Sequence, residues 1–171
     1  MIQNDQTRLQ QKINEANDLL KARANSVQSF GAIDHRLEFV SNVDGVEYIN
    51  DSKSTDENST WYSLEFMNKP VVWIVGTPDS EIDYELFSEK VDSKVRAIIC
   101  LGAGDEKLRD AFHQSVDSFT VASTVEECVK IANELSEDGD VVLFSPACNS
   151  FEMFRNYQDR GVRFREAVTQ L

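Results

Sequence analysis

Pro70-Val71-Val72-Trp73-Ile74-Val75-Gly76 is an unbroken apolar run held between a proline and a glycine. It is too short for a typical core helix and rich in β-branched and aromatic residues, so it reads as a strand. A strand with one wet face would alternate apolar and polar residues. This one does not, so both of its faces are buried, as in the middle of a parallel sheet. Two further runs have the same character. Val95-Arg96-Ala97-Ile98-Ile99-Cys100-Leu101 stops at Gly102, and Val141-Val142-Leu143-Phe144 stops at Ser145-Pro146. Helical patterns separate them at Tyr84–Val91, Glu106–His113 and Thr124–Leu135, with a short strand at Phe119–Val121. Thr124 and Glu127 have the spacing of a capping box. Buried strands alternating with helices predict an α/β fold: a doubly wound, mainly parallel sheet covered on both faces.

Upstream, Leu37-Glu38-Phe39-Val40 and Val46-Glu47-Tyr48-Ile49 flank Asn42-Val43-Asp44-Gly45. An Asp-Gly pair between alternating segments predicts a hairpin, placed here at the sheet edge. An amphipathic helix follows through Trp61, Leu64 and Met67. Leu9, Ile13, Ala16, Leu20 and Ala24 recur at three- and four-residue steps, which predicts an extra N-terminal helix from Arg8 to Phe30. The tail from Ser150 to Leu171 reads as one or two closing helices.

The chain has 171 residues and a formal charge of −13. That length fits one domain with an appendage. An acidic surface repels phosphate backbones and anionic headgroups, which argues against nucleic acid and membrane partners. Three cysteines, Cys100, Cys128 and Cys148, lack both metal-ligand spacing and a disulfide framework. Buried thiols suit a reducing compartment, so the cytoplasm is the expected location. No metal site is expected.

In an open parallel sheet, ligands bind beyond the carboxyl ends of the strands. The polar segments there are Asn50 to Thr55, Gly76 to Ser80, Gly102 to Asp105 and Ser145 to Ser150. If Asp51 to Thr55 is extended, Asp51, Lys53 and Thr55 line one wall with a carboxylate, a cation and a hydroxyl. The alternative is a strand end followed by a helix cap. Asn149 and Glu152 also have capping-box spacing, which would put Ser150 in a helical first turn suited to an anion, or mark capping alone. Gly102-Ala103-Gly104 lacks the third glycine of a dinucleotide fingerprint, because that position is Lys107, so it reads as a tight turn. No phosphate-binding Gly-Lys-Ser/Thr loop is present in the sequence. His35-Arg36 is either a surface cation pair or a hinge contact to a ligand.

Together these motifs carry a resemblance. His35-Arg36-Leu37-Glu38, Asn50-Asp51-Ser52-Lys53-Ser54-Thr55 and Leu143 to Phe151, with Arg160-Gly161 downstream, resemble the C-terminal domain of the Mur ligases, closest to the members that add D-glutamate. The resemblance implies a Rossmann-like domain spanning residues 35–171, with 1–34 a helix or linker remnant. It implies the substrate domain of an ATP-dependent amide ligase that joins D-glutamate to UDP-N-acetylmuramoyl-L-alanine in peptidoglycan synthesis. ATP and Mg would bind the full-length enzyme and the other substrates its preceding domains. This chain alone is expected to be inactive, to bind no cofactor by itself and to hold no catalytic residue. By position, Arg36 and Asp51 match residues that contact the nucleotide. Lys53 and Thr55 match residues beside D-glutamate, and Ser150, Phe151 and Tyr157 match the segment holding its side-chain carboxylate. The pattern departs at Gly76-Thr77-Pro78-Asp79-Ser80-Glu81. Members of the family usually carry Gly-Gly-x-Asp-Lys-Gly there, so Ser80 replaces the lysine that meets the substrate carboxylate. Lys90, Lys107 and Arg155 are the candidate replacement cations. The rival expectation is a stand-alone, non-catalytic module derived from that domain, binding a small anion or a partner.

Overall fold

The computed structural model describes residues 33–78, 81–149 and 153–171. The expected helix from Arg8 to Phe30 lies outside the described residues, as do Ser80, Ser150 and Phe151. The elements run β1 (Glu38–Val43), β2 (Val46–Asn50), α1 (Glu57–Phe66), β3 (Val71–Gly76), a 3₁₀ turn (Tyr84–Phe87), α2 (Ser88–Lys94), β4 (Val95–Leu101), α3 (Glu106–Phe112), β5 (Ser118–Ala122), α4 (Val125–Leu135), β6 (Val141–Phe144) and α5 (Tyr157–Val168).

The strands form one sheet in the order β1-β2-β6-β3-β4-β5. Only β1 and β2 pair antiparallel; every other neighbouring pair is parallel. The hairpin sits at the edge, and Asp44 and Gly45 both have positive φ (50° and 87°), the twist that a two-residue turn needs between right-twisted strands. The apolar runs divide by period two. Val72, Ile74, Ile99, Val142 and Phe144 pack under α4 and α5, while Val71, Trp73, Val75, Ile98 and Leu143 pack under α1, α2 and α3. Both faces are therefore covered, as the unbroken runs require. Thr124 caps α4 by accepting from Glu127 N at 3.1 Å, while the Glu127 carboxylate accepts from Ser123 N at 2.8 Å. Among the described residues, no helix is long and apolar enough to cross a membrane.

One boundary differs from expectation. The last helix begins at Tyr157, capped by Asn156, whose side chain accepts from Asp159 N at 2.8 Å. Of the Asn149–Glu152 pair, Glu152 lies outside the described residues, and Asn149 caps none of the described helices.

Candidate functional site

Because β2, β6, β3 and β4 are parallel, their carboxyl ends reach one edge of the sheet. The ladders continue one step into the loops. Asp51 N donates to Phe144 O at 2.8 Å, Ser145 N to Ile74 O at 3.1 Å and Thr77 N to Leu101 O at 2.9 Å. The loops are thus held in register as extensions of the strands. At this rim His35, Leu37 and Ala147 all have positive φ (64°, 44° and 58°). Non-glycine residues rarely adopt that conformation, and it clusters at functional sites.

Asp51 to Thr55 does not run extended. Ser54 N donates to Asp51 O at 2.9 Å, a turn that breaks the period-two face. Asp51 points inward and is fully buried. Its Oδ1 accepts from Leu37 N at 3.1 Å, and its Oδ2 from Ser54 Oγ at 2.5 Å and Ser145 Oγ at 2.7 Å. Burial pushes the carboxyl upward, while the Ser54, Ser63 and Ser145 hydroxyls and Leu37 N–H pull it back. The carboxylate joins three segments at the rim, and in this arrangement both of its oxygens are occupied. Asp56, further along, caps α1 by accepting from Ser59 N at 2.9 Å.

Lys53 and Thr55 remain partly exposed on the outer side of the turn. Lys53 Nζ lies 5.8 Å from the centre of the Tyr157 ring, within cation–π range. The fold therefore brings Lys53 and Tyr157 together from opposite ends of the domain. Arg36 lines a cavity of about 340 Å³ with Leu37, Ser59, Tyr62, Ser63 and Phe66. Arg36 borders this space beside the aromatic side chain of Tyr62. Asp51 is buried and is not among the residues lining that cavity.

His35 is 3 % exposed, so a surface cation pair with Arg36 is excluded. Its Nδ1 lies 2.9 Å from Asn50 Nδ2, and burial lowers its pKa. A Cβ on Gly161 would come within 2.2 Å of that nitrogen, so only glycine lets α5 approach.

Arg160 is the organising side chain that sequence reasoning quoted but gave no role. It is 2 % exposed. Its Nε donates to Ser52 Oγ at 3.0 Å, its Nη2 to Ser52 O at 2.8 Å, and its Nη1 to Cys148 O at 3.0 Å and Asn149 O at 3.3 Å. Ser52 Oγ in turn donates to Tyr157 O at 2.9 Å. One guanidinium thus ties the Lys53 loop to the loop after β6. The signal was legible: Arg160 falls on the apolar stripe of α5 with Gly161, Phe164, Ala167 and Val168. An arginine on a core-facing stripe must find buried acceptors.

Across the rim, a broadly open depression of about 550 Å³ between the elements after β3 and β4 is lined by Thr77, Glu81, Tyr84, Gly104, Asp105 and Lys107 among others. Thr77 Oγ1 donates to Leu101 O at 3.1 Å and accepts from Gly104 N at 3.2 Å. Tyr84 Oη donates to Asp105 Oδ2 at 2.6 Å, while Asp105 Oδ1 caps α3 through Leu108 N at 3.1 Å. Lys107 Nζ contacts Glu81 Oε1 at 2.7 Å. This pairing lowers the Glu81 pKa and raises that of Lys107. Gly102 and Gly104, at φ 118° and 91°, make the expected tight turn.

Residues 35–148 match the family described as Mur ligase, glutamate ligase domain. The chain is 47% identical over 146 residues to the UDP-N-acetylmuramoylalanine–D-glutamate ligase of Christiangramia forsetii, covering 85% of this chain and 33% of that protein. The enzyme of the same name from Aquifex aeolicus is 42% identical over 143 residues, 83% of this chain and 34% of its own length. This chain therefore spans about a third of the curated relatives it matches. Among solved structures, a murein peptide ligase from Psychrobacter arcticus superposes with TM-score 0.53 at 13% identity, covering 81% of this chain and 31% of its own. UDP-N-acetylmuramate-alanine ligase from Thermotoga maritima gives 0.51 at 14%, covering 80% and 30%. At those identities the likeness concerns the fold.

Proposed function

The chain belongs to the Mur ligase family through its glutamate ligase domain, and from that premise we propose that it is the C-terminal substrate domain of an ATP-dependent ligase that adds D-glutamate to UDP-N-acetylmuramoyl-L-alanine. The observation that carries this reading is the match to D-glutamate ligases over 85% of this chain but 33% of theirs. The part of the reaction assigned here is to seat D-glutamate at the carboxyl rim. The remaining two thirds of such an enzyme would supply the sites for ATP, Mg and the UDP-sugar. Residues 35–171 are the amino-acid-binding domain, and residues 1–34 are a helix or linker remnant. The cytoplasm, where ATP is available, is its place of work.

Within the rim, Lys53 supplies a cation and Thr55 a hydroxyl toward a carboxylate, an arrangement supported by their partial exposure and by the approach of Tyr157 to Lys53 at 5.8 Å. By the resemblance, Ser150 and Phe151 belong to the same carboxylate seat, and Ser80 stands at the sequence position of the usual lysine. Arg36, from its cavity, and Asp51, which also accepts from Leu37 N at 3.1 Å, are the nucleotide contacts in this reading. A second reading, a non-catalytic anion- or partner-binding module, draws support from the carboxylate of Glu81 beside the altered loop.

The test is calorimetry with D-glutamate on the full chain. Binding is expected to be weak, to strengthen in Ser80→Lys, and to vanish in Lys53→Ala. The chain alone should release no ADP from ATP with both acceptor and D-glutamate present. Tight binding that ignores Lys53→Ala would place the site elsewhere.

A further inference from the structure

Three cations could serve the facing side of the rim, and the fold separates them. Lys90 is held by Glu65 and Glu89 at 2.8 and 3.0 Å and lies 5.0 Å over the Trp61 ring, on the face covered by α1 and α2. Arg155 is engaged by Asp159 within its own stretch of chain, at 3.1 Å. Lys107 alone of the three lines the cavity between the loops after β3 and β4. It projects from the first turn of α3 across to the opposite loop, where Glu81 meets it at 2.7 Å.

The other carboxylate facing this space at close quarters is committed: both Asp105 oxygens accept hydrogen bonds, from Tyr84 Oη and Leu108 N. Glu106 also lines the cavity, but among the described residues it is Glu81 that pairs with Lys107. The Glu81–Lys107 pair is different in kind. The two side chains are 89% and 68% exposed, and such pairs are weak and readily exchanged. Thr77 meanwhile fixes the floor of the cavity, because its hydroxyl bridges Leu101 O and Gly104 N. A rigid floor, an exchangeable carboxylate and one ammonium make a site in which an incoming carboxylate can take the place of the protein's own.

We propose that Lys107 is the carboxylate-binding cation of this cavity and that Glu81 is its built-in competitor, occupying the ammonium until a ligand carboxylate displaces it. This rests on the reading above that the rim seats D-glutamate, and it adds a specificity-determining residue to that seat. The acidic lining makes the site selective: with Glu81 in place, only a ligand anchored elsewhere on the rim would compete well.

The experiment is an amide-shift NMR titration of the full chain with D-glutamate at millimolar concentrations, following Gly104 and Lys107 on one side and Lys53 and Thr55 on the other. Glu81→Gln frees Lys107 and should tighten binding by up to about fivefold, the equivalent of an exposed pair. Lys107→Ala should weaken binding and abolish the Gly104 shifts, Lys107→Arg should retain them, and Glu81→Gln should bring no gain in a Lys107→Ala background. Shifts at Lys53 and Thr55 with an affinity indifferent to both substitutions would overturn this inference and leave the proposed function standing. A gain from Glu81→Gln that persists without Lys107 would also overturn it, since Glu81 would then act by general repulsion. No shift on either side in any variant would overturn both.

Discussion

Replacing Arg160 with methionine keeps much of the side-chain volume and removes every donor of the guanidinium. Four hydrogen bonds to oxygen disappear, to Ser52 Oγ, Ser52 O, Cys148 O and Asn149 O, with a long one to Cys148 Sγ. Ser52 and Cys148 are buried, so water does not readily replace what their carbonyls lose, whereas Asn149 is exposed and can be rehydrated. Leaving a buried acceptor unpaired costs about 1–3 kcal/mol, so two such carbonyls amount to roughly 2–6 kcal/mol. Burial already lowers the Arg160 pKa, which shows that the charge itself is held at a cost, and its removal returns part of that sum. A net loss of about 3 kcal/mol is expected, a large share of the ~5–15 kcal/mol that stabilises a domain. For a chain of this size that lowers Tm by about 6–12 °C. Urea denaturation monitored by circular dichroism measures the first quantity. Hydrogen exchange at Lys53 and Ser54 should speed up as well, because their amides donate to His35 O and Asp51 O inside the loop that Arg160 ties down. A loss below about 1 kcal/mol with unchanged exchange at those amides would show that Arg160 does not hold the rim together.

Gly161→Ala should destabilise the fold by about 1–3 kcal/mol through the clash with His35, overriding the helix-propensity gain of alanine; a more stable variant in thermal denaturation would contradict the close approach. The pKa of His35 is lowered, first by burial and then by Arg165. The unfolded chain therefore binds a proton more readily, so the contribution of His35 to stability is complete above the unfolded pKa of about 6.5 and is lost as pH falls through the depressed folded value. Urea titrations from pH 5 to 8 should show that acid loss, reduced in His35→Asn, a residue that tolerates the positive φ; equal pH slopes in the two proteins would refute it.

The sheet could be read from the sequence because parallel strands buried on both faces leave unbroken apolar runs, as at Val71–Gly76 and Val141–Phe144. The hairpin was equally legible, since Asp44 and Gly45 supply the positive φ that the turn demands. The rim was only half legible. Alternation at Asp51, Lys53 and Thr55 suggested a wall, but the turn closed by Ser54 N is encoded by contacts from Leu37 and Ser145, distant in sequence. Likewise Asn149–Glu152 has the spacing of a cap, while the cap actually made is Asn156 to Asp159. For His35 the local sequence left a surface cation pair and a hinge contact both open, because nothing nearby in the chain announces the approach of Gly161. Such long-range contacts leave no local periodicity.

The most direct measurement is a graft. Residues 35–171 would replace the matching third of the Christiangramia forsetii ligase, to which the chain is 47% identical. ADP release would then be followed with UDP-N-acetylmuramoyl-L-alanine and D-glutamate. The account predicts release that requires both substrates and falls at least about tenfold in Lys53→Ala, the loss of one charge-assisted contact. A folded chimaera that binds ATP and the UDP-sugar but releases no ADP with D-glutamate would contradict it.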